Sequence, residues 1–259
     1  MKICCTSFSF NRSISSGQRG LEEYLQICQT LGIEGVEFWD EHLEMHLEKG
    51  GTIRNLREKA QDLGLTVVTI AVNNHDFTSL DPNVREKDVA RVFPWMDSIE
   101  EMGSKILRIL PGDLIALNKD EEALYPFVKS CLEKCLREAE QRNICLAVEN
   151  CPRDTDPKVV LRLVEEFDSP YLKICPDIGN IREDIRYHSF QSLLPYAVHV
   201  HAKTYQFDSQ GEEITIDYSK VREMLRQAHF NRYVCLEFEG EGDEREGVEK
   251  SVALLKKYL

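Results

Sequence analysis

The chain has 259 residues, 42% of them hydrophobic and 30% charged, and a formal net charge of −13. This composition excludes a disordered chain, and the acidic surface repels phosphate backbones, so nucleic acid is not an expected partner. No run of ~18 apolar residues exists, so no membrane span is expected.

The elements alternate along the chain, short apolar runs with longer amphipathic segments, as in βα units on a parallel sheet. Residues 2–9 read as a strand, because Met1-Lys-Ile-Cys-Cys-Thr-Ser-Phe is too short and polar for a secretory signal. A helix over Leu21–Leu31 precedes Gly32, a strand spans Val36–Trp39, and a helix over Ile53–Leu63 precedes Gly64. Both glycines suit helix C-caps. Thr66–Val72 is a β-branched strand, Val84–Met102 a long helix, Lys105–Leu110 the fourth strand and Lys119–Arg142 the fourth helix. Strands at Ile144–Glu149, Tyr171–Cys175, Ala197–His201 and Tyr233–Phe238 complete the set, with helices near 157–168, 189–194, 217–228 and 244–258. Asp156-Pro157 reads as an N-cap with proline at the first helical position. Eight such units without a linker predict one α/β domain over residues 1–259. The expected fold is a (β/α)8 TIM barrel with its active site at the C-terminal mouth. No G-x-G-x-x-G follows the first strand, which argues against a dinucleotide-binding open sheet.

The nine cysteines are odd in number, irregular in spacing and lack a CxxC pair. They read as buried free thiols of a reduced, cytoplasmic protein.

Period-two alternation assigns strand faces. Cys145, Ala147 and Glu149 share one face, as do Tyr233, Cys235 and Glu237, and Thr69, Ala71, Asn73 and His75. The opposite faces carry Leu146 and Val148, Val234 and Leu236, and Val68 and Ile70, which suit packing under helices. Four side chains of interior parity then stand at the ends of successive strands: Glu149, Asp177, His201 and Glu237. Converging at one point, three carboxylates and an imidazole repel one another unless a cation lies between them. One divalent ion is expected there. Its mostly oxygen ligands suit Mn²⁺, Mg²⁺ or Co²⁺, with Zn²⁺ also admissible.

Lys203 reads as a mouth cation that contacts substrate. Arg108, within an apolar strand, needs a buried carboxylate or a substrate group as partner. Glu37 and His75 have interior parity and read as substrate contacts. His199 sits one layer below His201, and Glu239 reads as a rim residue.

The chain resembles the xylose isomerase-like barrel superfamily of sugar phosphate isomerases and epimerases, which also includes endonuclease IV-type barrels. The likeness runs the whole length. It is most specific in Val148-Glu-Asn150, Pro176-Asp-Ile-Gly-Asn180, His199-Val-His-Ala-Lys203 and Leu236-Glu-Phe-Glu-Gly240, with the tail Asp243-Glu-Arg-Glu-Gly-Val. The resemblance implies the same metal ligands: Glu149, Asp177, His201 and Glu237. Two positions depart from many relatives: Asn180 replaces a histidine and Thr204 an aspartate. The first removes a potential ligand and makes a multi-metal nuclease site less fitting.

The expected activity is divalent-metal-dependent isomerisation or epimerisation of a sugar or sugar derivative by proton transfer through an enediolate. Glu149 and Glu237 are the candidate proton carriers. The competing readings are an inosose-type dehydratase, an endonuclease IV-like nuclease and a non-catalytic sugar-binding barrel. The expected partner is a small carbohydrate, with a homo-oligomer also compatible.

Overall fold

A computed structural model describes all residues, 1–259. Eight parallel strands form one sheet: β1 Lys2–Thr6, β2 Gly35–Trp39, β3 Thr66–Ala71, β4 Ile106–Ile109, β5 Cys145–Glu149, β6 Leu172–Cys175, β7 Val200–Thr204 and β8 Tyr233–Phe238. Their order is β6-β5-β4-β3-β2-β1-β8-β7. The remaining edge, between β6 and β7, is joined by two isolated bridges, Ile174 with Ala197 and Asp177 with His201. The Val198 amide donates to the Ile174 carbonyl at 3.1 Å and the His201 amide to the Pro176 carbonyl at 3.0 Å. The sheet thus closes into the expected TIM barrel.

Helices follow each strand and bury the outer aliphatics. Leu146, Val148, Val234, Leu236 and Ile70 lie in the main hydrophobic core beneath them. Gly32 and Gly64 end their helices at φ +69° and +71°, a left-handed conformation that glycine adopts without a Cβ clash. No helix is long and apolar enough to cross a membrane. All nine cysteines are free thiols.

Several local expectations shift. β1 stops at Thr6 instead of residue 9. The Phe8 amide donates to Thr6 Oγ1 at 3.3 Å, and Ser7–Phe10 winds into a 3-10 turn. β7 starts at Val200, later than Ala197, because Leu194–Tyr196 forms another such turn. The helix expected from residue 157 begins at Lys158, although Asp156 Oδ1 still accepts the Lys158 amide. Short helices at Asn11–Ser15, Asp40–Glu48 and Leu114–Lys119 were not expected. They line the loops on the C-terminal side.

Val68 reverses its expected face. The β2–β3 register slips between Val36 and Glu37, pairing Val36 with Val67 but Glu37 with Thr69. This bulge turns Val68 inward, against Cys4 and Cys235 in the barrel's waist.

Candidate metal centre

Each of the four candidate ligands is placed by its strand end. Glu149 closes β5, and Glu237 lies near the end of β8. Asp177 lies two residues beyond β6 and His201 within β7. All four are buried, and one ligand atom from each lies within 4.8 Å of the others.

Hydrogen bonds from neighbouring residues hold Asp177, Glu149 and His201 on one side. Asp177 Oδ1 accepts the Gly179 amide at 2.8 Å and the Asn180 amide at 3.3 Å. Asn150 holds the Asp177 backbone, donating to its carbonyl and accepting its amide, both at 2.9 Å. Asn180 Nδ2 donates to Glu149 Oε1 at 3.1 Å. His201 Nε2 lies 3.0 Å from Glu37 Oε2. The opposite atoms, Glu149 Oε2, Asp177 Oδ2, His201 Nδ1 and Glu237 Oε2, are buried and make no hydrogen bond. Buried polar atoms without partners are rare and call for an explanation. Charged neighbours stand close without hydrogen-bond alignment: Arg108 Nε 2.8 Å from Glu149 Oε2, Lys203 Nζ 3.0 Å from Asp177 Oδ2 and His201 Nδ1 3.1 Å from Glu237 Oε2. A divalent ion would engage all four lone pairs, as a carboxylate-bound imidazole turns its other nitrogen to a metal.

The charge count agrees. Glu37, Glu149, Asp177 and Glu237 are buried carboxylates, while Arg108 and Lys203 are the buried cations among them. Two negative charges remain, the charge balanced by one divalent ion. Without such an ion, protons make up part of the deficit. Burial pushes Asp177 up to about 6, against the pull of Lys203. Burial alone would lower His201, but Cys175, Glu37 and Glu149 raise it well above its ordinary value. Glu237 is also buried, yet Lys203 and His201 hold it at about 2.

The other predicted residues fall into place as follows. Lys203 Nζ reaches Asp177 Oδ2 at 3.0 Å, Asn180 Oδ1 at 3.0 Å and Glu239 Oε1 at 2.9 Å. Its stem passes so close to Gly179 that a Cβ there would lie 2.6 Å from Lys203 Cβ, so only glycine fits. Arg108 Nε stands 2.8 Å from Glu149 Oε2, an ion pair without hydrogen-bond alignment, and its Nη1 donates to Asn73 Oδ1. Glu37, expected to touch substrate, is fully buried and holds His199 and His201 at 3.1 and 3.0 Å. His75 is buried, with Nε2 3.0 Å from the Leu110 carbonyl, and burial lowers its pKa. Glu239 lies at the rim. Burial and the charge of Glu237 raise its carboxyl to about 7.

A second group, Glu37, His199, His201 and Cys235, is also close enough for a metal. Its Glu37 oxygen already binds both imidazoles, so the ligand atoms satisfy one another.

Three contributors escaped the sequence. Asn180, noted only as a lost histidine, bridges Glu149 and Lys203. Asn150 orients Asp177; its place beside Glu149 in one motif was the available signal. Arg153 stacks its guanidinium 4.4 Å from the Tyr205 ring, whose hydroxyl donates to the Gly179 carbonyl at 3.4 Å. Nothing local in the sequence marks that pair.

The family described as xylose isomerase-like TIM barrel matches residues 25–258. No curated protein sequence matches significantly. Among solved structures, the chain is similar to the probable 3-DHS dehydratase AsbF involved in petrobactin synthesis from Bacillus anthracis. The identity is 17% over 99% of each chain, with a TM-score of 0.76. D-psicose 3-epimerase, solved in the presence of D-fructose, aligns over 100% of this chain and 99% of its own, at 15% identity and TM-score 0.76. IOLI protein with a binding zinc atom aligns over the same shares, at 14% identity and TM-score 0.76. At such identities these likenesses establish the fold alone.

Proposed function

This chain belongs to the xylose isomerase-like TIM-barrel family, and on that premise we propose that it is a divalent-metal-dependent isomerase or epimerase of a sugar or sugar derivative. The single observation that carries the proposal is the convergence of four buried side chains, Glu149, Asp177, His201 and Glu237, each with one ligand atom that makes no hydrogen bond, within 4.8 Å of one another. A divalent ion held by them would polarise a substrate carbonyl and the neighbouring hydroxyl, acidifying the C–H between them.

The chain's own residues supply the rest. Glu149 and Glu237 arrive from different strands and face the cluster from opposite sides of His201. One carboxylate removes the α proton and the other returns a proton to the neighbouring carbon or the opposite face. Glu237, held ionised by Lys203 and His201, is the better placed acceptor. Lys203 is cationic at neutral pH, because Asp177, Glu237 and Glu239 outweigh its burial. It stabilises negative charge developing on a substrate oxygen. Glu37 keeps His201 in one tautomer and is a positioning residue.

The similarity to D-psicose 3-epimerase supports epimerisation, and that to a protein with a binding zinc atom supports metal binding. The probable dehydratase among the similar structures keeps β-elimination as the second reading. The test is a panel of ketoses, aldoses and inososes with Mn²⁺, Mg²⁺, Co²⁺ or Zn²⁺, read by deuterium exchange at the α carbon. Exchange that vanishes in Glu149→Gln and Glu237→Gln supports the reading. Dehydrated product selects the second, and absence of exchange on every sugar, in protein shown to bind metal, overturns both.

A further inference from the structure

The opposite end of the barrel has a charge of the other sign. Between the N-terminal ends of the strands lies an open cavity of about 550 Å³, whose charged lining residues are Lys2, Lys105 and Arg232, with no carboxylate among them. In a chain of net charge −13 this is a local reversal. Lys105 is paired with Glu100 at 2.7 Å. Lys2 and Arg232 are exposed and stand in no ion pair at all. Lys173, also in no ion pair, shares the inward face of Ala147 and Arg108 but does not line the hollow. Lys173 and Arg232 both act on the Cys145 thiol beside this space, though burial outweighs them and raises it to about 11.

The wall is apolar and partly aromatic, formed by Val68, Ile106, Val198 and Tyr233. The Tyr233 ring packs against Gly35, where a Cβ would come within 2.7 Å of it. Lys2 Nζ sits 5.6 Å from the ring centroid. Unpaired cations around an apolar, ring-faced hollow of ligand size match a small molecule with an anionic head and a flat body. The hollow is separate from the metal cluster: Tyr233 and Glu237 stand four residues apart on β8, about 13 Å of extended strand.

We propose that this N-terminal cavity is a second ligand site, and that it takes an organic phosphate with an aromatic or heterocyclic body. Lys2 and Arg232 hold the phosphoryl oxygens, and Tyr233 faces the ring.

Calorimetric titration of the intact protein with AMP, adenosine and inorganic phosphate tests this. AMP is expected to bind with a Kd under about 1 mM, and adenosine and phosphate each at least about tenfold more weakly. The double variant Lys2→Glu/Arg232→Glu changes only exposed side chains. It is expected to lose AMP affinity by at least about tenfold while circular dichroism and metal content stay unchanged. Glu149→Gln, at the other end, is expected to bind AMP as the parent does. The proposal is overturned if AMP does not bind at about 1 mM. It is equally overturned if the double variant binds AMP unchanged, if adenosine equals AMP, or if Glu149→Gln abolishes the binding.

Discussion

The waist and the mouth of the barrel both face its interior, yet they do opposite work. At the waist Cys4, Val68 and Cys235 are buried and uncharged, packed against one another. Towards the mouth, Glu149, Asp177, His201 and Glu237 are equally buried but crowd charged groups together without hydrogen-bond alignment. Burial therefore does not separate a core residue from a candidate site residue here; the crowding of charged groups does. The waist contributes stability through contact, whereas the mouth holds like charges together and is stable only when something neutralises them.

The largest effect that would break this contrast is at the mouth. Glu237→Gln is expected to lower kcat by at least about 10³-fold and to reduce bound metal, with the metal-free protein no less heat-stable than the parent. Elemental analysis and calorimetry check it; a large fall in melting temperature without metal would make Glu237 a packing residue. Next, saturating metal is expected to stabilise the parent by about 4 kcal/mol at a thousand times Kd, which in a chain this long raises Tm by about 10 °C. The shift should disappear in Glu237→Gln. Val68→Ala, at the waist, is expected to lose about 2 kcal/mol of stability in urea titration with metal affinity unchanged. If affinity falls as well, the two regions are not independent. The smallest effect is on pH. Asp177, near 6, and His201, raised further, must give up protons to bind a cation. Metal affinity should thus rise with pH, by at least about tenfold per unit below 6. A flat profile would mean that these groups are not ligands.

The barrel was legible because each strand is an apolar run with one polar and one aliphatic face, a local pattern. The convergence of the four strand ends was legible for the same reason, since parity and strand position together specify which atoms meet once the sheet closes. What escaped was non-local. Glu37 lies under His201 because closure brings β2 across from β7, 164 residues later. No spacing within either strand encodes that contact. Val68 defied its parity because the bulge depends on how β2 and β3 register, not on the sequence of β3 alone. The Asp40–Glu48 helix follows β2 without a turn residue, so its start carries no punctuation. Asn180 shows a different limit: compared with relatives it reads as a missing ligand, and only the geometry reveals two hydrogen bonds in its place.

The closure between β6 and β7 has a mechanical consequence. The other neighbouring strands are joined by ladders of three or more paired residues, whereas this seam has two bridges, one of them joining Asp177 to His201. Those same two residues are candidate ligands of the proposed ion, one on each side of the gap. An ion there would act as a clasp on the hoop, so amide exchange in Ile174–Ile178 and Val198–His201 should slow more than anywhere else on metal loading.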